Sequence, residues 1–396
     1  MVLKSILPMN LLTNMTTIKS YIPILRLRPA EMKALEKLLP QDRENITPLV
    51  ELVMPGPSLN RKDDKKIITK TPKEKFLEAL PEVADNILTS CGQNSIFIDV
   101  HLLDADIRAS SFEQILSSSL RLDIFSIPVT YIIPVTSTSA DSATRAIAVN
   151  FAKSSGHGLC IRIDKSHLED QHFSEHLTDF IKTNGLSIEN IDLLVDLRII
   201  NQGTDAKDVA EKLEKLPDIK KWRSFIVSGG VFPKDLTDYT PGEVHALNRF
   251  DWKLWSDLHE TKLPRLPSFS DYTIQHPFYE YVAAIGSASV RYTADDKWWI
   301  FRGKIPGHIN RKTKEKGPGR EQYIGHARTL VNRDFYKKSD YCFGDAEIAR
   351  IADVNNTKPG SPPIWLTIGI NHHITLVARQ LANFVAKIGE RPKQIS

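Results

Sequence analysis

The chain has 396 residues and a formal net charge of +4, with 41% hydrophobic and 25% charged residues. This length holds one barrel-sized domain with an extension, or two smaller domains, and the composition is typical of a globular protein with a substantial core. The small net charge excludes a chain coated with positive charge for nucleic acid, but it is compatible with local basic patches. The three cysteines lie far apart, which argues against a disulfide framework and a Cys-x-x-Cys zinc site and indicates a reducing, cytoplasmic compartment.

The first twenty residues are predicted to be a flexible N-terminal extension. Their apolar stretch, Ile6–Leu12, is interrupted by Pro8 and Asn10, and no small-residue cleavage site follows it, so no signal peptide is expected. No apolar run approaches the roughly 18 residues that a membrane helix needs. We therefore expect no contact with a membrane.

Short strand-like runs then alternate with helical stretches. Runs rich in Val, Ile and Leu on both faces are typical of buried parallel strands, which are joined by right-handed helical crossovers. The predicted strands are Ile46–Val53, Ser95–Val100, Ile127–Val135, Gly158–Ile163, Ile191–Leu197 and Arg223–Ser228, with Leu247–Phe250 as a seventh and Asp271–His276 as an eighth. The predicted helices between them are Lys73–Ser90, Ser111–Leu122, Ala140–Ser154, Gln171–Thr183, Asp205–Leu216 and Asp251–His259.

The pattern changes after the eighth predicted strand. Ala288–Thr293 and Trp298–Gly303 flank a polar turn and predict an antiparallel hairpin. After it we predict two helices, a short strand and a closing helix, at Arg320–Val331, Asp345–Ala352, Ile364–Ile368 and His373–Ile388. The sequence therefore predicts an α/β fold: a (β/α)8 TIM-like barrel over residues 21–286, with a C-terminal extension of hairpin, basic loop and helices over residues 287–396 packed on it.

Several of the predicted strands end in ionisable residues. In a parallel barrel these carboxyl ends surround one mouth, where barrel enzymes place their reacting groups. A cluster there could bind a phosphate, hold a divalent cation such as Mg²⁺, or supply the acid and base of a reaction. The alternative is a buried ion-pair network that closes the barrel top. The residues are the candidate catalytic acids Glu51, Asp99, Asp164 and Asp196 and the candidate ligand-binding arginines Arg162 and Arg198.

A basic segment follows the predicted hairpin. It contains one acid, Glu315, among glycines and prolines. It is either a solvated loop or an arm that contacts phosphates. Its basic residues are Lys304, Arg311, Lys312, Lys314, Lys316 and Arg320.

Common catalytic motifs are absent from the sequence. It has no Gly-x-Gly-x-x-Gly, Walker loop, His-Glu-x-x-His or nucleophile elbow, which counts against dinucleotide-binding, zinc-protease and serine-hydrolase functions. His372 and His373 are predicted to open the closing helix, with side chains about 100° apart. They cannot chelate one metal as an i, i+4 pair would, so one is expected either to cap the helix or to act as a binding or catalytic imidazole.

Short motifs along most of the chain resemble the phage Beta protein family. In the first half they are Tyr21-Ile-Pro-Ile-Leu, Glu31, Leu35 and Pro48-Leu-Val-Glu51. In the second half they are Arg249-Phe-Asp-Trp252, Leu254-Trp255, Asp271-Tyr272, Gln275-His-Pro277, Ser289-Val-Arg291-Tyr-Thr293, Trp299 to Gly303, Gln322-Tyr323, Gly344-Asp345, Trp365 and Asn371-His-His373. The sequence departs from the family pattern at Asp251, Phe343 and Ile370, and its basic segment is longer than usual.

The resemblance implies a protein of phages, prophages or mobile bacterial loci that takes part in phage–host conflict. It carries over no established catalytic residue. If the hairpin and the last helix cover the barrel mouth, polar residues of the second half would form one composite pocket with the mouth acids. Of these, His276 and His372 are further catalytic candidates, and Asp271, Arg291, Arg302, Asp345 and His373 are ligand-binding candidates.

Three functions remain open at this point. The first is an antiviral defence component that binds or processes a phosphate-bearing ligand, such as a nucleotide or nucleic acid. The second is a non-enzymatic scaffold or interaction module whose partner is another protein of the same locus. The third is a barrel enzyme for a small metabolite, and fold alone does not choose among them.

Overall fold

The computed structural model describes residues 21–60, 67–92, 94–120, 131–281, 286–309 and 316–389, so the predicted N-terminal extension lies outside them. The strands are β1 (Tyr21–Arg26), β2 (Leu49–Glu51), β3 (Ser58–Leu59), β4 (Ile68–Lys70), β5 (Ile96–Asp99), β6 (Ile132–Thr136), β7 (Leu159–Asp164), β8 (Ile191–Ile199), β9 (Ser224–Gly230), β10 (Val244–Asn248), β11 (Ser268–Asp271), β12 (Val290–Thr293) and β13 (Lys297–Phe301). The helices are α1 (Pro29–Glu36), α2 (Pro40–Arg43), α3 (Pro72–Cys91), α4 (Ala105–Ser119), α5 (Ser142–Ser155), α6 (Lys165–Glu169), α7 (Phe173–Thr183), α8 (Ala206–Leu213), α9 (Phe250–Leu258), α10 (Gln322–Val331), α11 (Phe343–Ala352) and α12 (Pro362–Gly389).

Eight parallel strands close into a barrel, in the order β1, β2, β5, β6, β7, β8, β9 and β11. Sequential neighbours pair around the whole ring, as βαβ units with a consistent crossover hand require. Apolar side chains such as Ile24, Leu49, Phe97 and Leu194 fill the barrel interior. A second set of apolar side chains on the outer faces packs against the helices. The predicted (β/α)8-like architecture is confirmed.

The C-terminal extension packs on one side of this barrel. Strands β10, β13 and β12 form an antiparallel sheet, which confirms the predicted hairpin. Helix α12 lies against β1 and α1, in the place of the eighth barrel helix. Thr367 Oγ1 and Asn371 Nδ2 donate to the carbonyl oxygens of Ala30 and Ala34, at 2.9 and 3.0 Å, and so fasten α12 to α1.

Two predicted strands are wrong, and the predicted eighth strand, Asp271–His276, is displaced, because the barrel strand is β11, Ser268–Asp271, and a turn follows it. The segment Leu247–Phe250 was expected to be a barrel strand, but β10 pairs with β13 in the extension, and the barrel strand in its place is β1. Pro23 interrupts the strand signal of β1, because proline is uncommon inside sheets. The segment Ile364–Ile368 lies in α12, whose apolar residues are buried on more than one side between the barrel and the extension.

The earlier start of the last helix also changes the position of His372 and His373 within it. Helix α12 begins at Pro362, so His372 and His373 lie in its interior and neither caps its start. Both side chains are buried.

The cysteines Cys91, Cys160 and Cys342 are free and buried. Within the described ranges, no helix has the length and the apolar character that crossing a membrane requires.

Candidate functional site at the barrel mouth

Parallel register brings charged residues to one level at the carboxyl ends of the strands. Arg26 lies beside Glu51 on the neighbouring strand, and Glu51 lies beside Asp99 on the next. On the other side of the mouth, Asp164 lies beside Asp196. Because side chains alternate between the two faces of a strand, residues that share this register point into the barrel together.

The guanidinium of Arg162 is the centre of the mouth. Its Nη1 donates to Glu51 Oε1 at 2.9 Å and to Asp99 Oδ2 at 2.7 Å. Its Nη2 donates to Asp196 Oδ2 and to the Tyr272 hydroxyl, both at 2.7 Å. The Tyr272 hydroxyl in turn donates to Asp196 Oδ2 at 2.5 Å. One buried cation is therefore shared by three buried carboxylates.

These contacts keep Asp99 and Asp196 ionised. Burial alone opposes ionisation of Asp99, but His101 and Arg162 hold the pKa of its carboxyl well below its ordinary value. The same balance acts on Asp196, where Arg162 and Arg198 outweigh burial and lower the pKa. The pKa of Arg162 is raised: burial opposes its charge, but the neighbouring Tyr272 and the carboxylates favour it. The network is thus a set of compensated charges.

Two further basic side chains, Arg26 and His101, lie beside this centre. Arg26 Nε lies 3.5 Å from Glu51 Oε2, and Arg26 Nη2 donates to the carbonyl oxygens of His276 and Pro277 at 2.7 and 3.1 Å. His101 Nδ1 lies 2.9 Å from Asp99 Oδ1. Together with Arg162, Glu51, Asp99, Asp196, Arg198 and Tyr272, these residues are called the mouth network below.

Arg198 has an unusual backbone at this site. Its φ is 56°, in the left-handed region that non-glycine residues rarely adopt, and the register of β8 is irregular between Asp196 and Ile199. Its Nε lies 3.1 Å from Asp196 Oδ2, and its Nη1 donates to the Tyr272 hydroxyl at 3.0 Å. Strained backbone of this kind persists where the surroundings fix it, and it is frequent at binding sites.

A cavity of about 250 Å³ opens beside the mouth network, between the loops that follow β5, β6, β7 and β8. This volume is at the small end of ligand pockets, so the mouth cavity fits a small molecule or the end of a larger one. Polar side chains in its lining include Asp99, His101, Arg108, Thr136, Ser137, Ser139, Thr144, Arg162, Asp164, His167, Asp196 and Arg198. Asp164 is at its rim, where it accepts a hydrogen bond from the backbone N–H of Ser166 and contacts His167.

A divalent cation does not fit between the mouth acids as they stand. The oxygens of Glu51, Asp99 and Asp196 converge on the guanidinium of Arg162, which occupies the position that such an ion would need. Among the described residues, one set of possible metal ligands is Cys342, Asp345 and His372, whose ligand atoms lie within 4.8 Å of one another. Asp345 Oδ2 contacts both of the others: the Cys342 thiol donates to it at 3.0 Å, and His372 Nδ1 lies 2.7 Å from it.

Four of the predicted site residues lie outside the barrel wall, so the expected composite pocket is not formed by them. Asp271 accepts from the Tyr21 hydroxyl at 2.9 Å and contacts His373 Nε2 at 2.8 Å. Asp345 contacts His372, whose Nε2 lies 2.8 Å from the carbonyl oxygen of Thr293. We call this group the wall cluster: Asp271, Tyr292, Thr293, Cys342, Asp345, His372 and His373. Side chains alternate across a strand, so Asp271 points outward where its neighbour Tyr272 points into the mouth.

The remaining predicted residues lie elsewhere. His276 Nδ1 contacts the carbonyl oxygen of Phe232 at 2.8 Å, and Arg291 and Arg302 line a second cavity beside the extension. Of the basic segment, Lys304 and Lys316 line a surface pocket next to Arg302. Arg320 precedes α10, and Arg311, Lys312 and Lys314 lie outside the described residues. A phosphate-binding role for this segment stays a prediction.

Sequence reasoning missed several residues of the mouth. Arg26 ends the strand that Pro23 obscured, and Tyr272 was noted only as part of a motif. His101 comes two residues after Asp99, where an ionisable residue just past a predicted strand end is a signal that could have found it. Arg108 and Thr136 carry no distinguishing pattern, because their roles depend on how the loops fold.

Comparisons with known proteins identify the family. No curated protein matches the chain. A universal stress protein from Archaeoglobus fulgidus DSM 4304, whose structure is solved, is 16% identical over 54% of this chain and 86% of that one, with a TM-score of 0.16, which is too low to support an argument. The profile of the Beta protein family matches residues 21–379, nearly the whole chain. The chain therefore belongs to the Beta protein family.

Proposed function

We propose that this protein is a component of a bacterial or prophage antiviral defence system, and that its mouth cavity binds a phosphate-bearing ligand. A nucleotide or a nucleic-acid end has the required chemistry. Membership of the Beta protein family, which is associated with phages, supports the setting. The charges that line the cavity favour this class of ligand.

The observation that carries the proposal is that the acids at the base of the cavity are buried and paired, whereas several of the basic side chains beside them are partly exposed. The side chains of Glu51, Asp99 and Asp196 are 0%, 5% and 0% exposed, and each forms an ion pair with Arg162. The lining cations and imidazoles remain partly exposed: 34% for His101, 23% for Arg108 and 22% for Arg198. A ligand that enters the cavity therefore meets hydrogen-bond donors, with Asp164 as the exposed acid at the rim. Arginine donors favour phosphate and carboxylate oxygens.

The hydroxyl groups in the lining support the same class of ligand. Thr136 ends β6, Ser137 and Ser139 follow it, and all three line the cavity. The Thr136 hydroxyl is buried and has no hydrogen-bond partner among the described residues. Hydroxyl donors next to arginine are common in phosphate sites, because a phosphate group accepts several hydrogen bonds at once.

If the ligand is processed as well as bound, His101 is the group best placed to move a proton. It lines the cavity, and Asp99 Oδ1 lies 2.9 Å from its Nδ1, while both ring nitrogens are buried and make no hydrogen bond within the described residues, so a ligand group that reaches the ring would give one of them a partner. A histidine oriented by a carboxylate is the arrangement that general acid–base catalysis uses. The same geometry is compatible with a site that binds a ligand without catalysing a reaction, so binding is measured before activity.

The scaffold alternative assigns the mouth network to stability alone. Under it, the partly exposed Arg198 has no ligand, and replacing it changes no binding. The small-metabolite alternative predicts binding of an anion without a nucleotide. One titration that compares several ligands and variants distinguishes both alternatives from the proposal.

The test is calorimetric titration of the wild-type protein with inorganic phosphate, pyrophosphate, mononucleotides and a short single-stranded oligonucleotide. Replacing Arg198 with Met removes a charge-assisted hydrogen bond and is expected to weaken binding by about tenfold or more. Lys165→Met is the matched control, because Lys165 is a nearby exposed cation that contacts the carbonyl oxygen of Ile199 and does not line the cavity. The Arg198 variant is also expected to lose protection of a bacterial host against infection. Absence of binding by any of these ligands, or equal binding by both variants, contradicts the proposal.

A further inference from the structure

A second charged cavity lies on the same face of the barrel. It has a volume of about 580 Å³ and is bounded by the loops that follow β9 and β11 and by the extension. We call it the extension cavity. Its lining includes Arg28, Lys234, Asp235, Gln275, Ser289, Arg291, Arg302, Tyr323 and Trp365. None of these residues lines the mouth cavity.

Arg291 is the central cation of this cavity. It is reachable from the cavity, but protein surrounds it on the other sides. Its Nη1 donates to the carbonyl oxygen of Ile274 at 2.8 Å, and its guanidinium lies 4.4 Å from the centre of the Phe232 ring. Among the described residues no carboxylate forms an ion pair with it. Burial, together with the nearby charge of Arg28, lowers the pKa of Arg291 to about 10.

Arg302 repeats this pattern a short way along the same wall. Its Nε donates to the carbonyl oxygen of Leu236 at 3.0 Å, and its Nη1 donates to that of Gly303 at 2.9 Å. These acceptors are neutral. The other two lining cations are compensated, because Arg28 pairs with Glu31 and Lys234 pairs with Glu280. The lining therefore holds two guanidiniums without an ion-pair partner in the described part of the chain, against one exposed acid, Asp235.

Gln275 supplies an independent sign of a missing ligand. It is 8% exposed, its Oε1 accepts from Arg28, and its Nε2 has no hydrogen-bond partner within the described residues. A buried N–H without an acceptor is costly, and so is a buried cation without an anion. One oxygen-rich anion would satisfy both groups.

We propose that the extension cavity is a second ligand site, in which Arg291, Arg302 and the amide of Gln275 bind the phosphate or carboxylate group of a small molecule. The rings of Tyr323 and Trp365, stacked with centroids 5.2 Å apart, form an apolar wall beside these donors. A cavity of this size with an apolar wall and a few converging donors is the usual form of a small-molecule site. This site is separate from the mouth cavity, and the proposal does not depend on the function assigned there.

The experiment follows thermal unfolding of the full chain with pyrophosphate and malonate as probes, each against sodium chloride at equal ionic strength. A ligand that binds the folded state raises the midpoint with its concentration. The wild-type midpoint is expected to rise with one or both probes, and the probe that acts more strongly distinguishes a phosphate from a carboxylate ligand. Arg291→Met should lower the affinity for that probe by about tenfold or more, since it removes charge-assisted hydrogen bonds.

Two comparisons assign this response to the extension cavity. Arg291→Met should reduce the rise of the unfolding midpoint by the same amount in the Arg198→Met protein as in the wild type, because Arg198 lies at the mouth cavity. Without a probe, Arg291→Met should unfold near the wild-type midpoint, because the loss of its contacts with Ile274 and Phe232 is offset by removal of a cation that has no ion-pair partner among the described residues. Gln275→Leu provides a second variant should Arg291→Met fail to fold, and it is expected to weaken binding several-fold. The proposal is overturned if neither probe shifts the wild-type midpoint beyond the chloride control, or if the folded variants respond as the wild type does.

Discussion

The mouth network and the wall cluster are both buried groups of acids and bases, but they use their polar atoms differently. In the wall cluster every carboxylate oxygen and ring nitrogen contacts another group of the protein, as with Asp345, which accepts from Tyr292 and contacts His372. The mouth network compensates its carboxylates through Arg162 and leaves His101 and Arg198 partly exposed to a cavity. Charge burial alone therefore does not indicate a site, whereas polar atoms left available at a cavity do.

The largest expected effect comes from removing the shared cation of the mouth. Arg162→Met leaves Glu51, Asp99 and Asp196 buried without their common partner. Removing one partner of a buried ion pair costs about 3–5 kcal/mol of unfolding free energy. Urea unfolding at pH 7 measures this loss, with Lys165→Met as a control that should stay close to wild type.

The pH dependence of this loss tests its cause. In the wild type the pKa values of Asp99 and Asp196 are lowered. Their contribution to stability is therefore fully present above the unfolded-state pKa of about 3.9, and it is lost as the pH falls through the folded-state pKa values. Without Arg162, burial should raise these pKa values instead, and the variant should gain stability relative to the wild type between about pH 7 and pH 4. A loss below about 1 kcal/mol, or a loss independent of pH, would show that the three acids are compensated by other groups.

The sequence predicts those features of the molecule that depend on the pattern of residues within one segment, and it does not predict those that depend on contacts between distant segments. The βα alternation and the acids at strand ends predicted the barrel and placed Glu51, Asp99 and Asp196 around one mouth. The central role of Arg162 was not predictable, because it depends on the register of strands that are far apart in sequence. Similarly, His372 and His373 gave no sign of their outward position, since an all-round apolar helix has no pattern that identifies its neighbours. The assignment of Arg291 and Arg302 to a separate cavity required the fold of the extension.

An intermediate effect is expected from the pH response of the wall cluster. Burial lowers the pKa of His373 although Asp271 opposes this change, so the folded protein resists a proton that the unfolded chain accepts. Stability should therefore fall as the pH drops below the unfolded-state value of about 6.5, by at most about 1.4 kcal/mol per pH unit for this one group. In His373→Gln the amide can replace both ring contacts and does not titrate, so the decline between about pH 6.5 and 5 should be smaller.

Other buried groups titrate in the same range, and the comparison with wild type removes the contribution of those that do not interact with the wall cluster. Burial also lowers the pKa values of His157, His259 and His326, and it raises that of Asp251 to about 7, which acts in the opposite direction. The three histidines are the same in both proteins, whereas Asp251 interacts with Asp271, the partner of His373, so its titration is part of what the comparison measures. The measurement is the difference in unfolding free energy between variant and wild type at several pH values. A difference that does not change with pH would mean that His373 takes up the same number of protons in both states.

The smallest expected effect distinguishes two threonines that line the same mouth cavity. The Thr144 hydroxyl donates to Asp141 Oδ2 at 2.8 Å, whereas the Thr136 hydroxyl has no partner among the described residues. Replacing Thr144 with Val should cost about 1 kcal/mol of unfolding free energy, because a hydrogen bond is lost. Replacing Thr136 with Val should leave stability within about 0.5 kcal/mol of wild type.

Ligand affinity should show the reverse order. If the mouth cavity binds phosphate oxygens, the buried Thr136 hydroxyl, which has no partner among the described residues, can donate to one of them, and Thr136→Val should weaken binding by about tenfold, the value of one hydrogen bond to a charged acceptor. Thr144→Val should bind as the wild type does, because its hydroxyl is already used on Asp141. Titration of both variants with the best ligand of the wild type measures this. If Thr136→Val binds normally, the ligand does not reach the strand ends, and the binding contacts lie at the rim with Arg198 and Arg108. If it loses stability instead, its hydroxyl has a protein partner, and the mouth network extends to β6.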